Sequence, residues 1–121
     1  EENTLELALL NVITGEDVTI KKNPFLTDDA AGTVQSIRDY SHRLVDQGLI
    51  HPDDVEDYLL FMQPEHLQHL LLHKQTAVFY TLRRKVDGLY VRILIEFITG
   101  LVCSENNPYV VVVRRVADDS N

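Results

Sequence analysis

Three histidines, His66, His69 and His73, follow one another at three and then four residues, with Glu65 alongside. On a helix this spacing puts the imidazoles roughly on one side, and His69 and His73 have the i, i+4 separation of a zinc-ligating pair. No cysteine or carboxylate pair elsewhere completes a recognisable ligand set. The stripe is therefore read as a solvent-facing band beside Leu67, Leu70 and Leu71, and no metal is expected. His51 has the chemistry of a base or a pH switch, because a free imidazole titrates near neutrality. Its setting, His51-Pro52-Asp53-Asp54, reads instead as a helix start with the imidazole as a local hydrogen-bond partner. Asp53, Asp54, Glu56 and Asp57 crowd one solvated stretch rather than forming the pair of contrasting environments that acid–base chemistry uses. Cys103 closes a strongly β-forming run before Ser104-Glu105-Asn106-Asn107-Pro108, as a small residue at a strand end rather than a nucleophile. A phosphate-cradling glycine loop and a serine nucleophile elbow are both lacking. These residues point away from an enzyme.

The elements that would position these groups fit one domain, since the chain has 121 residues and that length suffices for an ordinary core. The net charge of −8 argues against a nucleic-acid surface and against an anionic membrane face. One cysteine allows no internal disulfide and gives no sign of an oxidising compartment. No stretch is long enough for a membrane-spanning helix, and the start lacks a basic-then-apolar signal segment. The first residue is Glu1 rather than Met, so an excised piece of a larger cytoplasmic protein is expected.

Leu5 to Thr14 reads as a buried strand, because its end is β-branched. Gly15-Glu16-Asp17 turns the chain, and Val18 to Lys22 returns as the second arm of a hairpin. Asn23-Pro24 stops it, and Phe25 to Gly32 reads as a loop with Asp28-Asp29 at its tip. Thr33 is expected to cap a helix reaching Gln47, with Val34, Ile37, Tyr40 or Ser41, Leu44 and Val45 on its apolar stripe. Gly48 supplies the stop. A second helix opens at His51-Pro52-Asp53-Asp54, where proline suits the first turn and the aspartates suit the dipole. Val55, Tyr58, Leu59 and Met62 form its stripe. A third runs from Pro64-Glu65 to Lys74. Strands are expected at Thr76–Val86, Leu89–Leu101 and Tyr109–Val116, the first two joined by the hairpin signal Asp87-Gly88. Residues 117–121 read as the start of a linker. The order ββ–ααα–βββ predicts an α+β fold over residues 1–121, a single antiparallel sheet built from both strand blocks with helices on one face. The reason is that two strands do not stand alone.

Gly48-Leu49-Ile50-His51-Pro52-Asp53-Asp54, Leu82-Arg83-Arg84-Lys85-Val86-Asp87-Gly88-Leu89-Tyr90-Val91-Arg92 and Asn107-Pro108-Tyr109-Val110-Val111-Val112-Val113-Arg114-Arg115-Val116 stand in that order. Together they resemble a PAS domain of the bacterial subgroup found beside GGDEF (diguanylate cyclase) domains or the histidine kinases of two-component systems. The matching patterns are "G-hydrophobic-(I/V)-HP-(E/D)-D", "Y-R-R-x-x-D-G-x-Y-R-W" and a closing strand ending in "V-R-D-I". Leu82 and Arg92 depart from the aromatics usual there, and Ala117-Asp118 from the sharp ending. The family's flavin motif with a reactive cysteine is missing, as is a histidine in a haem-ligand context. No cofactor is implied, and a colourless protein is expected.

The resemblance implies a non-catalytic sensory module that controls an attached output domain. Counting from Gly88, Val91, Ile93, Ile95 and Phe97 share one face of their strand, and Arg92, Leu94, Glu96 and Ile98 share the other. By analogy with the family, the first set faces the helices. Carrying the count to the preceding strand adds Phe79, Thr81 and Arg83 to this inward set as ligand-pocket candidates. Arg83 would then hold an anionic ligand or reach solvent at the strand end. The outward set, Tyr80, Leu82, Leu94 and Ile98, is apolar for a free surface. It would be covered by a flanking helix or by a second copy in a homodimer. The alternative reading is a structural dimerisation module with a filled core, which the dominance of Val, Ile, Leu and Phe on the inward face favours over a small-molecule pocket.

Overall fold

A computed structural model of the chain describes residues 4–23, 32–75, 77–100 and 102–117. Strands β1 (Thr4–Asn11), β2 (Glu16–Lys22) and β3 (Val34–Ser36) precede helix α1 (Ile37–Asp46). A 3-10 turn (Pro52–Asp54) leads into α2 (Val55–Phe61) and α3 (Pro64–Leu71), and β4 (Val78–Val86), β5 (Leu89–Ile98) and β6 (Tyr109–Val116) follow. The fold is α+β, with one six-stranded sheet in the order β3-β2-β1-β6-β5-β4 and antiparallel pairing throughout. The expected union of the two strand blocks is present, because β1 pairs with β6 along Leu7↔Val113 to Asn11↔Tyr109.

β1 ends at Asn11, short of the expected Thr14. The Asn11 carboxamide oxygen accepts from the amides of Ile13 (2.9 Å) and Thr14 (3.1 Å), a side-chain-closed turn that competes with the ladder. Gly15 completes the turn at φ +77°, and an added Cβ would meet the Pro64 side chain at 3.2 Å, so this turn packs on the start of α3. The expected first helix is also corrected. Val34 to Ser36 pair with β2 instead, leaving Val34 outside the helical stripe. Ser36 is the cap, its Oγ accepting from the Asp39 amide at 3.2 Å. Ile37, Tyr40, Ser41 and Leu44 then form the buried stripe. The third helix stops at Leu71, before the expected Lys74, and His73 takes φ +65° with its amide on the Cys103 carbonyl. The expected strand limits Thr76 and Leu101, the loop tip Asp28-Asp29 and the linker residues beyond Ala117 lie outside the described residues.

The strand faces carry the main correction. The hairpin at Asp87-Gly88 has a two-residue loop and pairs Val86 with Leu89, so every opposed pair joins an even-numbered residue to an odd-numbered one. Opposed residues of an antiparallel ladder share a face. Tyr80 lies against Ile95 and Leu82 against Ile93, on the helix-covered face, and Phe79, Thr81 and Arg83 lie against Glu96, Leu94 and Arg92 on the open one. The sequence count carried odd with odd through the loop and so reversed β4. Its placement of β5 agrees with the burial: Ile93, Ile95 and Phe97 are buried, whereas Leu94 and Ile98 face outward and are half-buried.

Candidate functional site

Beneath α1 the inner sheet face is charged. Glu6 of β1, Asp17 and Thr19 of β2 and Arg114 of β6 are all buried there, together with Tyr40 and Ser41 of α1. Glu6 sits where alternation buries it with Ala8 and Leu10. The register shifts on both of its flanks, between Thr4 and Glu6 against β6 and between Leu7 and Ala8 against β2. Such irregularities re-aim side chains. The Glu6 carboxylate gathers three donors from three elements. Arg114 Nη1 donates to Oε1 at 2.9 Å, the Tyr40 hydroxyl donates to the same oxygen at 3.2 Å, and the Thr19 hydroxyl donates to Oε2 at 3.3 Å. Arg114 Nη2 stands 3.9 Å from Asp17 Oδ2, and its guanidinium lies over the Tyr40 ring, 4.9 Å from the centroid.

This environment moves the acidities of its members. Burial disfavours the charged form of Arg114, but Glu6, Tyr40 and Asp17 outweigh it and raise its pKa, so the guanidinium stays charged. Burial raises the Tyr40 hydroxyl above its ordinary value, with Glu6 adding to it and Arg114 opposing. Tyr58 of α2 is raised by burial too, with Arg114 and then Ser41 opposing. The buried Arg84 of β4 acts electrostatically on both tyrosines. The cluster thus holds two carboxylates, two guanidiniums and two neutral phenols away from water, and Tyr40 ties β1 and β6 to α1.

The residues singled out from the sequence are distributed otherwise. Val91, Ile93, Ile95 and Phe97 share the inner face, and Tyr80 and Leu82 join them there. Phe61 of α2 stacks on Tyr80 with centroids 4.1 Å apart, and the Tyr80 hydroxyl donates to Asp57 at 2.6 Å. Arg83 is on the outer face at the sheet edge. Its Nε and Nη2 bond both Asp54 carboxylate oxygens at 3.0 and 2.9 Å, and its amide bonds Oδ2 at 2.8 Å. This fork holds Asp54 below the ordinary carboxylate pKa. Arg83 therefore cannot serve the interior. The buried arginines are Arg84 and Arg114, which the sequence reading passed over. The signal available was a lone Glu in Leu-Glu-Leu-Ala-Leu-Leu and a lone basic pair ending Val-Val-Val-Val-Arg-Arg, each on a strand otherwise apolar.

The histidine stripe splits apart. His66 Nδ1 bonds the Phe61 carbonyl at 2.8 Å, while His69 and His73 line a surface pocket of about 370 Å³ with Glu65, and His73 Nε2 meets Glu105 at 3.3 Å. Among the described residues no group of three or more His, Cys, Asp or Glu has the geometry to hold a metal ion. His51 Nδ1 accepts from the Asp53 amide at 3.1 Å, capping the turn that it opens. Cys103 is fully buried, and burial followed by Glu105 raises its thiol pKa, which opposes nucleophile chemistry. Among the described residues no helix is long and apolar enough to cross a membrane.

The open outer face has the opposite character. Val34, Val18, Leu9, Val111 and Ile98 make one transverse row, and Lys21, Leu7, Val113, Glu96 and Phe79 make the next. Leu94 follows between Arg115 and Thr81. No protein-family profile matches this sequence, and no curated protein is significantly similar to it.

Proposed function

We propose that this chain is a non-catalytic, PAS-type sensory and regulatory module that controls an attached output domain, such as a diguanylate cyclase or a histidine kinase. The observation that carries the reading is the sheet arrangement. The first strand lies beside the last, both strand blocks share one antiparallel sheet, and the helical insert between them covers one face. A single antiparallel sheet of this kind is what the element order ββ–ααα–βββ predicts, and it is compatible with the PAS reading. In it, a disturbance under α1 reaches β1 and β6, the strands at which the chain enters and leaves, through Glu6 and Arg114. A relay of this kind needs two states with different contacts, and the buried cluster supplies contacts that can differ. The test is the gene surrounding this segment. A following GGDEF or kinase domain supports the reading, and the output activity of that full-length protein should change when Glu6→Gln removes the shared acceptor charge. A gene encoding no output domain on either side would sink it.

A second reading, a structural dimerisation module with a filled interior, is favoured by a different observation. Tyr40, Tyr58, Met62 and Phe97 are fully buried between the helices and the sheet, and two pockets, of about 370 and 270 Å³, lie on the surface around α3. Native mass spectrometry of protein purified from its own host separates the two. A retained metabolite of fixed mass supports the sensory reading, and a bare chain supports the structural one.

A further inference from the structure

The sheet has two edges, and they are finished differently. β3 is an edge of three residues, Val34–Ser36. β4 is a nine-residue edge, Val78–Val86, whose second half is already occupied. The His51 amide bonds the Arg83 carbonyl, the Lys85 amide bonds the Leu49 carbonyl, and the Arg83 amide bonds Asp54. These bonds show that the odd-numbered residues of β4 turn their backbone groups away from β5. The same alternation sends the N–H and C=O of Phe79 and Thr81 to the open side. There they have no hydrogen-bond partner among the described residues. Both residues are exposed, Phe79 at 55%.

From this geometry we propose that the Val78–Leu82 edge pairs antiparallel with the same edge of a second copy, forming one continuous twelve-stranded sheet about a twofold axis. Unpaired strand edges are templates for such pairing, and folded proteins ordinarily blunt them with charge, proline or a covering segment. This stretch, Val-Phe-Tyr-Thr-Leu, has no charge, no proline and no glycine, although the chain carries a net charge of −8. Four of its five residues are β-branched or aromatic. The occupant is a second copy because the segment suits itself. In a register centred on Tyr80, Phe79 lies opposite Thr81 of the other copy and Thr81 opposite Phe79. Four backbone hydrogen bonds then form, and each Phe79 ring covers a Thr81 methyl. The docked Leu49–His51 segment and the Arg83–Asp54 fork end the free edge at Leu82, so the pairing closes as a dimer. Growth into a filament would need the three-residue β3 edge as the complementary end. The pairing also extends the apolar outer rows across both copies.

Sedimentation equilibrium of the 121-residue chain, from roughly 5 µM to roughly 1 mM, covers the weak affinities that a short edge contact gives. The wild type should pass from monomer to dimer within this range. Thr81→Pro deletes an edge-facing N–H, a position where proline is tolerated. It should weaken the dimer about tenfold or more while leaving circular dichroism and Tm close to wild type. If Thr81→Pro does not fold, Phe79→Lys places a charge on the same edge and should weaken the dimer likewise. Amide exchange at Thr81 should slow as concentration rises. Leu9→Asp, on the outer face of β1 and three strands from this edge, should leave the dimer intact. A wild type monomeric throughout overturns the proposal. So does a dimer that survives the edge substitutions, or one with no concentration-dependent protection at Thr81.

Discussion

Each face of the sheet departs in part from the usual allocation of residue types, and the two departures are opposite. The inner face, sealed by helices, contains Glu6, Asp17, Arg84 and Arg114, and the outer face, open among the described residues, carries Leu7, Leu9, Leu94, Ile98, Val111 and Val113. The comparison teaches that the two faces are stable for different reasons. Charges in the interior are tolerable only when each is satisfied by neighbours, so the cluster fixes one arrangement of β1, β2, β6 and α1 rather than adding much net stability. An apolar surface is tolerated without such matching and instead favours any partner that removes it from water.

The largest effect should come from unbalancing the inner cluster. Arg114→Met leaves Glu6 and Asp17 buried without their shared cation and should cost about 3–5 kcal/mol in urea denaturation. Adding Glu6→Met should recover part of that loss rather than deepen it, because the pair is replaced by apolar volume. Additive losses would show that the carboxylate and guanidinium are not partners.

Next in size is a contrast between neighbouring strands. Leu82→Ala empties a buried site opposite Ile93 and should cost about 2–5 kcal/mol, whereas Leu94→Ala on the open face should stay within about 1 kcal/mol. Equal losses would mean that the faces of β4 and β5 are assigned wrongly.

The smallest effect belongs to the exposed fork. Asp54 is held below its ordinary pKa of 3.8, so it contributes stability that is fully present above that value and is lost as pH falls through the lower folded value. Asp54→Asn should lower Tm slightly at neutral pH and flatten its fall below about pH 4. An unchanged acid limb would place the acid sensitivity elsewhere.

Much of the architecture was legible because it rests on local chemistry. Asp87-Gly88 specifies its hairpin, Gly48 and Pro52 punctuate the helices, and the apolar runs of β1, β5 and β6 mark strands whichever way they face. The start of α1 was misplaced by a competition that local propensity does not settle. Val34 fits a helical stripe, yet edge pairing with Val18 claims it and hands the cap to Ser36. The candidate site was far less legible. Glu6 and Arg114 are 108 residues apart, and nothing in either strand announces the other.

By itself, then, the sequence determined most element types and the hairpins, because turns, caps and apolar periodicity act over a few residues, and it pointed to one shared sheet because two strands do not stand alone. Tertiary structure alone decided which face of β4 is buried, which arginines are interior and which carboxylate they meet. A side-chain period of two means that a single step of register exchanges the faces of a strand, and register is set by pairing, not by composition.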